Sequence, residues 1–341
     1  MKNYLEKLIR QENLTVEEMK DATKYCFTDA ITESEIAAFL TALQSKGETA
    51  DEIAGMVDVI RSQSMFQTTA ITNAMDNCGT GGDQSYSFNI STTSAFVIAG
   101  AGITVAKHGN RSISSKTGSA DVLEHLGVSL SFTNDHVEEM LNENKIAFLF
   151  APHVHKALKP FSKVRKDLGL PTIFNAIGPL TNPVPLDSQL LGVYQRDMVQ
   201  MLGEALRKLG RRRAVVVNGA GFMDEASLAG VNHLVILDEG KLTPFTLSPE
   251  EIDLPVYQNE EIRGGDAKDN AVILQGVLSG KKGAYFDTVL LNAGLGLFAN
   301  GAAKTIKSGI QMARESIESG AAMERLQRLI EYSRKIPSGV L

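Results

Sequence analysis

The chain contains 341 residues, of which 43% are hydrophobic and 22% are charged, and its formal net charge is −6. This composition is typical of a globular protein with about two domains, and the acidic balance argues against a nucleic-acid partner, which would require a basic face. Cys26 and Cys78 form neither a disulfide framework nor a CxxC metal motif. The charged N-terminus lacks the apolar segment of a signal peptide, and the weakly polar run at 95–106 is too short to span a bilayer. We therefore expect a cytoplasmic protein with no membrane partner.

The first part of the chain, residues 1–70, is predicted to form a small helical domain. Three segments, 15–18, 32–35 and 49–52, match the capping box, in which a Thr is followed three residues later by a Glu at a helix start. Gly47 is expected to end the helix that begins at the second box, because glycine readily adopts the left-handed backbone found at helix ends. These three boxes predict three helices.

From residue 71 onward the pattern changes to short apolar runs that alternate with helical segments. The predicted strands are 103–106, 146–150, 190–194, 214–217 and 234–237. The predicted helices are 119–126, 135–144, 197–209, 266–278, 285–298, 302–319 and 322–335. Short buried strands separated by helices predict an α/β domain over 71–341, with a mostly parallel sheet covered on both faces. The basic run at 211–213 follows a helix end, so dipole complementarity and solvation explain it.

The segment 77–121 combines a glycine-rich loop with a polar helix start. CGTGGD at 78–83 places three glycines in one loop, and glycine allows backbone N–H groups to approach an anion closely. A helix that begins near Ser91 would direct its N-terminal N–H groups to the same place, and the hydroxyls of Ser91 and Thr92 suit phosphate or Mg²⁺. Taken singly, these features could be a tight turn, an ordinary N-cap and a surface lysine at Lys107; together they predict an anion site.

Seven stretches of the sequence resemble the anthranilate phosphoribosyltransferase family. They are CGTGGD (78–83), FNIST (88–92), KHGNRS (107–112), GSADVLE (118–124), VRKDLG (164–169), TIFNAIGPLTNP (172–183) and NGAGFMDEASLAG (218–230). The resemblance implies a small N-terminal helical domain plus a larger α/β domain of the nucleoside phosphorylase and phosphoribosyltransferase type. It also implies that the segment at about 160–183 returns to the helical domain. Pro171 departs from the family pattern, in which many members carry a basic residue there.

The activity implied by this resemblance is a step of tryptophan biosynthesis. The phosphoribosyl group of 5-phosphoribosyl 1-pyrophosphate passes to the amine of anthranilate, and pyrophosphate leaves. Departure of pyrophosphate places negative charge on the leaving group, so catalysis requires anion stabilisation more than a strong base. Mg²⁺ is the implied cofactor, and a homodimer joined through the helical domain is the implied assembly. No residue is assigned as a general base, whereas Lys107 and His108 are assigned positioning roles.

The resemblance also assigns residues to the two substrates and to the metal. The implied donor-binding residues are Gly79, Gly82, Asp83, Ser87, Asn89, Ile90, Ser91, Thr92, Lys107, His108, Gly109, Asn110, Arg111, Ser112, Ile113, Ser114, Ser115 and Ser119. The implied anthranilate-binding residues are Gly79, Asn110 and Arg165, and the implied metal ligands are Ser91, Asp224 and Glu225. Arg165 suits a carboxylate because its planar fork can donate two hydrogen bonds. On its own, the acidic pair would be read as a solvated turn and Arg165 as a surface charge.

Two alternative functions fit part of the sequence. A nucleoside phosphorylase of the same fold would need a phosphate and a nucleobase site, and the KHGNRS and Asp-Glu segments argue against it. A non-catalytic phosphoribosyl-binding paralogue would be expected to have lost Asp224, Glu225 or Arg165, and all three are present. A Rossmann dehydrogenase is excluded because GTGGD is not GxGxxG. His153 and His155 follow a proline and are interpreted as polar loop residues.

Overall fold

The computed structural model describes residues 1–66, 68, 71–112 and 116–336. The chain begins with a helical bundle whose members are α1 (Lys2–Ile9), α2 (Val16–Tyr25), α3 (Glu33–Lys46) and α4 (Ala50–Ser62). All three predicted capping boxes are formed, because each N-terminal threonine accepts a hydrogen bond from the backbone of the glutamate that in turn reaches back to it. Gly47 ends α3 with φ +85°, as predicted. Local sequence is therefore sufficient to place these helix starts.

A seven-stranded sheet forms the centre of the larger part that the structure describes. Its strands are β1 (Ala74–Gly79), β2 (Val105–Gly109), β3 (Ile146–Phe150), β4 (Leu186–Gly192), β5 (Arg213–Asn218), β6 (Asn232–Asp238) and β7 (Lys241–Leu247). They lie in the order β3-β2-β1-β4-β5-β6-β7. The first five are parallel and the last two join antiparallel, which confirms the mostly parallel sheet. β1 and β7 were not predicted, since β1 carries polar Asp76 and Asn77 and β7 is largely exposed and contains Pro244.

Helices cover both faces of this sheet. They are α5 (Ile90–Gly100), α6 (Ser119–His125), α7 (Asn134–Glu143), α8 (Ala151–Val154), α9 (Lys159–Leu168), α10 (Phe174–Ile177), α11 (Met198–Lys208), α12 (Ala267–Leu278), α13 (Ala284–Asn300), α14 (Ile306–Glu318) and α15 (Ala321–Arg334). The helix predicted to begin at residue 302 begins instead at Ile306, because Thr305 caps it by accepting from the N–H of Ser308. Within the described ranges, no helix is long and apolar enough to cross a membrane.

Two buried clusters of hydrophobic residues divide the packing. One cluster surrounds α5 and α13 on one face of the sheet. The other joins the N-terminal bundle to α9, α10 and α11 and to the opposite face of β4, β5 and β6. The rings of Phe161 on α9 and Phe174 on α10 lie 5.0 Å apart within this second cluster. In addition, Arg61 of α4 donates two hydrogen bonds, of 3.0 and 2.6 Å, to the carbonyl of Leu180. The chain segment after β3 thus returns to the helical bundle.

The basic run at 211–213 is not simply solvated, so that part of the sequence interpretation is wrong. Arg211 is only 5% exposed and donates to the side chain of Gln189 at 3.2 Å and to the carbonyl of Leu186 at 3.3 Å. Arg212, in contrast, is exposed and pairs with Asp187 at 2.9 Å. Arg211 lies two residues before β5 and is buried because its side chain packs against Leu186 and Gln189 of β4. Arg211 therefore contributes hydrogen bonds to β4 at the centre of the sheet, whereas Arg212 remains at the surface.

Candidate functional site

The carboxyl ends of three adjacent parallel strands meet at one edge of the sheet. β1 ends at Gly79, β2 ends at Gly109 and β4 ends at Gly192. The loop after β1 stays against β4, since the N–H of Thr80 donates to the carbonyl of Gly192 at 2.9 Å. α5 then begins beside this loop, with Asn89 as its N-cap residue, and the Asn89 side chain makes no capping hydrogen bond to the helix. In open α/β sheets this edge is where ligands bind.

Two glycines allow the acidic loop after β5 to lie against the strand ends. A Cβ atom at Gly79 would overlap the side chain and carbonyl of Asp224, and one at Gly192 would overlap the Asp224 carbonyl. Gly81 and Gly82 have φ values of +72° and +86°, a backbone region that other residues adopt only at a cost. The glycine-rich loop and the Asp224–Glu225 loop therefore form one unit.

Two N–H groups of this unit are occupied by the acidic pair. Asp224 accepts a hydrogen bond from the N–H of Gly81 at 2.7 Å, and Glu225 accepts one from the N–H of Ser91 at 3.1 Å. The sequence had suggested that such N–H groups meet a phosphate directly. Instead, an incoming anion would face two carboxylates, and that approach requires a cation between them.

Burial and like charges act on these carboxylates. Burial, together with the charges of Asp83 and Glu225, raises the pKa of Asp224 well above its usual value. Burial also raises the pKa of Glu225 to about 7, although the nearby Lys107 opposes this change. One buried oxygen of Asp83 accepts no hydrogen bond from the part of the chain that the structure describes. Buried carboxylates with like charges nearby favour a positive charge beside them, and their oxygens are of the kind that a divalent cation such as Mg²⁺ prefers.

Lys107 is a buried residue rather than a surface lysine. Its side chain is directed to the start of α5, where Nζ donates to the carbonyl of Asn77 at 2.6 Å and to Oγ of Ser91 at 3.3 Å. Only 2% of Lys107 is exposed. A positive charge fixed at this point lies beside the serine and the acidic pair, where it can stabilise an anion.

His108, the next residue on β2, lies in a different environment. Its backbone N–H donates to Asp76 at 3.3 Å, and its ring meets that of His155 edge to face with centroids 5.4 Å apart. Burial lowers the pKa of His108 well below its usual value and lowers that of His155 to about 4, so both rings are neutral at pH 7. His155 is 6% exposed and packed against His108, so its interpretation as a polar loop residue is wrong.

Asp76 and Asn182 join the strand ends to the returning segment, and sequence reasoning did not identify either. Asp76 is fully buried and accepts hydrogen bonds from the N–H groups of Asn77 and His108. The amide of Asn182 donates to Asp76 at 3.0 Å and to the carbonyl of Ala106 at 2.7 Å. A carboxylate just before the glycine-rich loop was the signal that could have pointed to Asp76.

The remaining predicted donor residues surround this edge. Asn89 donates to the carbonyl of Thr117 at 3.3 Å, and Ser119 donates to that of Asn110 at 3.2 Å. Ile90 and Thr92 are each 1% exposed, so they are buried at the start of α5. The backbone of Ser87 forms an isolated antiparallel β-bridge with that of Arg263. Further predicted residues, Ile113, Ser114 and Ser115, lie outside the described residues.

Arg165 lies apart from this network. It is on α9, and its guanidinium carbon is 5.1 Å from the centre of the Phe174 ring. Its side chain forms no hydrogen bond or ion pair with any residue in the described ranges, Gly79 and Asn110 included. Burial lowers the pKa of its guanidinium. The structure thus brings together the glycine loop, Lys107 and the acidic pair, and it leaves Arg165 as an unpaired cation in the helical part.

Comparison with known proteins identifies the class first. Residues 2–64 match the model described as "Glycosyl transferase family, helical bundle domain", and residues 71–323 match "Glycosyl transferase family, a/b domain". The chain is 56% identical over 336 residues to a protein of Oceanobacillus iheyensis named anthranilate phosphoribosyltransferase, covering 98% of this chain and 99% of that one. A protein of Listeria innocua with the same name is 54% identical over the same shares.

Solved structures agree with this classification. The anthranilate phosphoribosyltransferase of Thermus thermophilus superposes with a TM-score of 0.92 at 38% identity, covering 97% of this chain and 99% of that one. The Saccharomyces cerevisiae enzyme, described in complex with PRPP and Mg, superposes with a TM-score of 0.88 at 28% identity, covering 98% of each chain. This chain belongs to the anthranilate phosphoribosyltransferase family.

Proposed function

We propose that the protein transfers the phosphoribosyl group of 5-phosphoribosyl 1-pyrophosphate to the amine of anthranilate, with release of pyrophosphate, in tryptophan biosynthesis. The observation that carries this proposal is the position of Asp224 and Glu225, which are bound to the N–H groups of Gly81 and Ser91. This arrangement supports the proposal, because two carboxylates at the strand ends could hold Mg²⁺ where the phosphates of the donor would lie. The names of the full-length relatives support the same reaction.

The donor site is proposed to comprise the glycine loop, the start of α5 and the loop after β2. Its members are the donor-binding residues named in the sequence analysis, and Lys107 contributes the buried positive charge. As pyrophosphate departs, negative charge accumulates on its oxygens, and Lys107 together with the N-terminus of α5 stabilises that charge. Departure of this group requires no base at the ribose. His108 is neutral and buried, which is consistent with a positioning role.

Magnesium is proposed to be held by Ser91, Asp224 and Glu225. The donor set fits, because hydroxyl and carboxylate oxygens are the ligands that Mg²⁺ prefers, and the crowded carboxylates require a positive charge. Among the described residues, no three His, Cys, Asp or Glu side chains form a metal site. The remaining ligands would therefore be water and donor oxygens, as is usual for this ion. When bound, the metal neutralises charge on the pyrophosphate.

Anthranilate is proposed to bind between Asn110 and Gly79 on one side and Arg165 on the other. The unpaired guanidinium of Arg165 suits the acceptor's carboxylate. An aryl amine is a weak base and is uncharged at neutral pH, so it can attack the anomeric carbon without prior deprotonation.

The assembly, location and domain division are further proposals. We propose a homodimer joined through the helical domain, which comprises residues 1–70 and the returning segment at about 160–183, with 71–341 as the donor-binding domain. Exposed apolar side chains in the helical part support this interface, since Ile9 is 72% exposed and Leu170 is 61% exposed. A cytoplasmic location is proposed because amino-acid biosynthesis draws on cytoplasmic metabolites.

The test is an assay of anthranilate fluorescence in the presence of the donor and Mg²⁺. The wild-type protein should consume anthranilate and release pyrophosphate. The double variant Asp224→Asn/Glu225→Gln should lower turnover by on the order of a hundredfold and shift the Mg²⁺ dependence to higher concentration. A matched control is Asp238→Asn/Glu239→Gln, which makes the same changes in two consecutive acidic residues that are exposed at the end of β6. No consumption by the wild type, or an unchanged Mg²⁺ dependence of the first variant, would contradict the proposal.

A further inference from the structure

One carboxylate, that of Asp121, holds together the two ends of the segment 112–118. Asp121 lies in the first turn of α6, and its Oδ2 accepts hydrogen bonds from the N–H of Gly118 at 2.9 Å and from the N–H of Ser112 at 3.3 Å. Its other oxygen, Oδ1, accepts from the guanidinium of Arg111 at 2.8 Å. The N–H groups at both ends of the segment, and the guanidinium of Arg111 just before it, thus converge on the side chain of Asp121.

Close backbone contact reinforces this junction. A Cβ atom at Gly118 would lie 2.6 Å from the carbonyl oxygen of Asn110 and would overlap the backbone of Arg111 and Ser112. The carbonyl of Asn110 also accepts from the N–H of Ala120 at 3.2 Å. Residues 110–112 are therefore fixed on the start of α6 by main-chain contacts that require both Gly118 and Asp121.

The charge of Asp121 suits this role. Although burial opposes the change, the hydrogen bonds from Gly118 and Arg111 lower the pKa of Asp121 below its usual value. An ionised acceptor makes shorter and stronger hydrogen bonds than a neutral one. Glu124, one turn later on α6, pairs with Arg111 at 2.8 Å and makes no hydrogen bond to the backbone of 110–118 in the described residues. The two carboxylates share Arg111, but only Asp121 holds the main chain.

We propose that Asp121 is a positioning residue for the donor site, acting through the backbone of 110–112 rather than by contact with the donor. This inference rests on the proposed function, in which the loop after β2 binds the phosphoribosyl donor. Recognition of phosphate by a loop depends on how well the loop is held before binding, because ordering it afterwards reduces affinity. Asp121 therefore contributes to donor affinity and not to the chemical step.

The test compares steady-state kinetics of Asp121→Ala, Asp121→Asn and the control Glu124→Gln. Asp121→Ala should raise the donor KM by on the order of tenfold, the scale of one or two lost charge-assisted hydrogen bonds, with kcat within about threefold and an unchanged anthranilate KM. Asp121→Asn keeps the shape and one acceptor oxygen, so its donor KM should be intermediate. Glu124→Gln should stay within about twofold of the wild type.

A second variant tests the same geometry while leaving the carboxylate intact. Gly118→Ala should displace the backbone of 110–112 and reproduce the donor KM of Asp121→Ala. The role of Asp121 would be overturned if the donor KM of Asp121→Ala equalled that of the wild type, or if Glu124→Gln raised the donor KM as much as Asp121→Ala. Either result would leave the proposed function intact. A wild-type protein that neither turns over nor binds the donor in calorimetric titration would overturn both.

Discussion

At the scale of single residues, the arginines of this protein differ in whether they form an ion pair with a carboxylate. Arg111 is paired with Asp121 and Glu124, and Arg212 is paired with Asp187 and Glu239. Arg165 has only the Phe174 ring as a partner within the described ranges. A guanidinium that is partly buried without a counter-ion is less stable in its charged form. Burial therefore lowers the pKa of Arg165. Such an unpaired cation is suited to a ligand carboxylate.

Arg165→Ala should therefore separate binding from stability. The variant should raise the anthranilate KM by on the order of ten- to a hundredfold, as expected for a lost charged hydrogen bond, while the donor KM stays near that of the wild type. Its melting temperature should change little, because the variant loses only the contact with the Phe174 ring and no intramolecular ion pair. Arg165→Lys should recover little, since an ammonium group cannot make the two-pronged contact.

Steady-state kinetics with each substrate varied, together with thermal unfolding, measure these effects. A raised donor KM with a normal anthranilate KM would show that Arg165 serves the other substrate.

At the scale of elements, the three capping boxes are alike in sequence and differ in burial. In α3, Glu35 accepts from Thr32 in an exposed setting. In α4, Glu52 is fully buried and accepts from the N–H groups of Leu14 and Thr49, each at 2.9 Å. It also pairs at 2.9 Å with Lys46, whose side chain is 3% exposed. The same local motif thus becomes an internal ion pair only where α4 packs against its neighbours.

Glu52→Gln should destabilise the helical part strongly. The substitution keeps the shape and leaves Lys46 its hydrogen bonds to Asn13 and Gly47, but it removes the buried counter-ion, and breaking such a pair costs about 3–5 kcal/mol. The matched control is Glu35→Gln, at the same position of the exposed box, where a glutamine retains the cap and the cost should be below about 1 kcal/mol. Urea unfolding monitored by circular dichroism compares the two. Equal losses in both variants would show that the burial of Glu52 contributes nothing.

At the scale of the whole molecule, neutral histidines are buried where the returning segment meets the sheet. His108 belongs to β2, whereas His155 follows α8, and both are nearly inaccessible to solvent. Neither ring nitrogen of His155 has a hydrogen-bond partner in the described part of the chain. Charging either ring would place an uncompensated cation in this junction, so the folded protein resists protonation.

His155 should consequently make the folded protein less stable in acid, whereas Asp224 and Glu225, whose pKa values are raised by burial, act in the opposite direction. An unfolded histidine binds a proton below about pH 6.5, whereas folded His155, with its pKa of about 4, does not until the pH is much lower. Because the unfolded state binds more protons in this window, the free energy of unfolding decreases as the pH drops from 6.5 towards 4, by on the order of 3 kcal/mol for this residue at full extent.

Denaturant unfolding between pH 7.5 and pH 5 tests this expectation. His155→Phe removes the titrating group and keeps an aromatic ring against His108, so relative to the wild type this variant should gain stability as the pH is lowered from 7.5 to 5. His125→Phe, which alters an exposed histidine, should leave the dependence unchanged. Identical pH profiles for His155→Phe and the wild type would show that the burial of this ring is unrelated to acid sensitivity.

What the sequence by itself determined was local. Thr15, Thr32 and Thr49 begin their helices as predicted, because a capping box is satisfied within four residues. The strand at Ile146–Phe150 was found because a short apolar run is unambiguous when the strand is buried on both faces. The mostly parallel sheet followed from the alternation of strands with helices, and the order of the glycine loop and helix start was sufficient to predict an anion site.

The tertiary structure decided what depends on distant neighbours. β1 was missed because its polar side chains find partners far along the chain: Asp76 accepts from His108 and Asn182, and Asn77 donates to the carbonyl of Ser91. The sequence suggested Asp224 and Glu225 as metal ligands. Their hydrogen bonds to the N–H groups of Gly81 and Ser91 form only because the loop after β5 packs on the loop after β1. Folding likewise buries Arg211 and leaves the neighbouring Arg212 exposed. A sequence specifies short-range hydrogen bonds directly, whereas the desolvation and pairing of a charge are set by residues that only folding brings near.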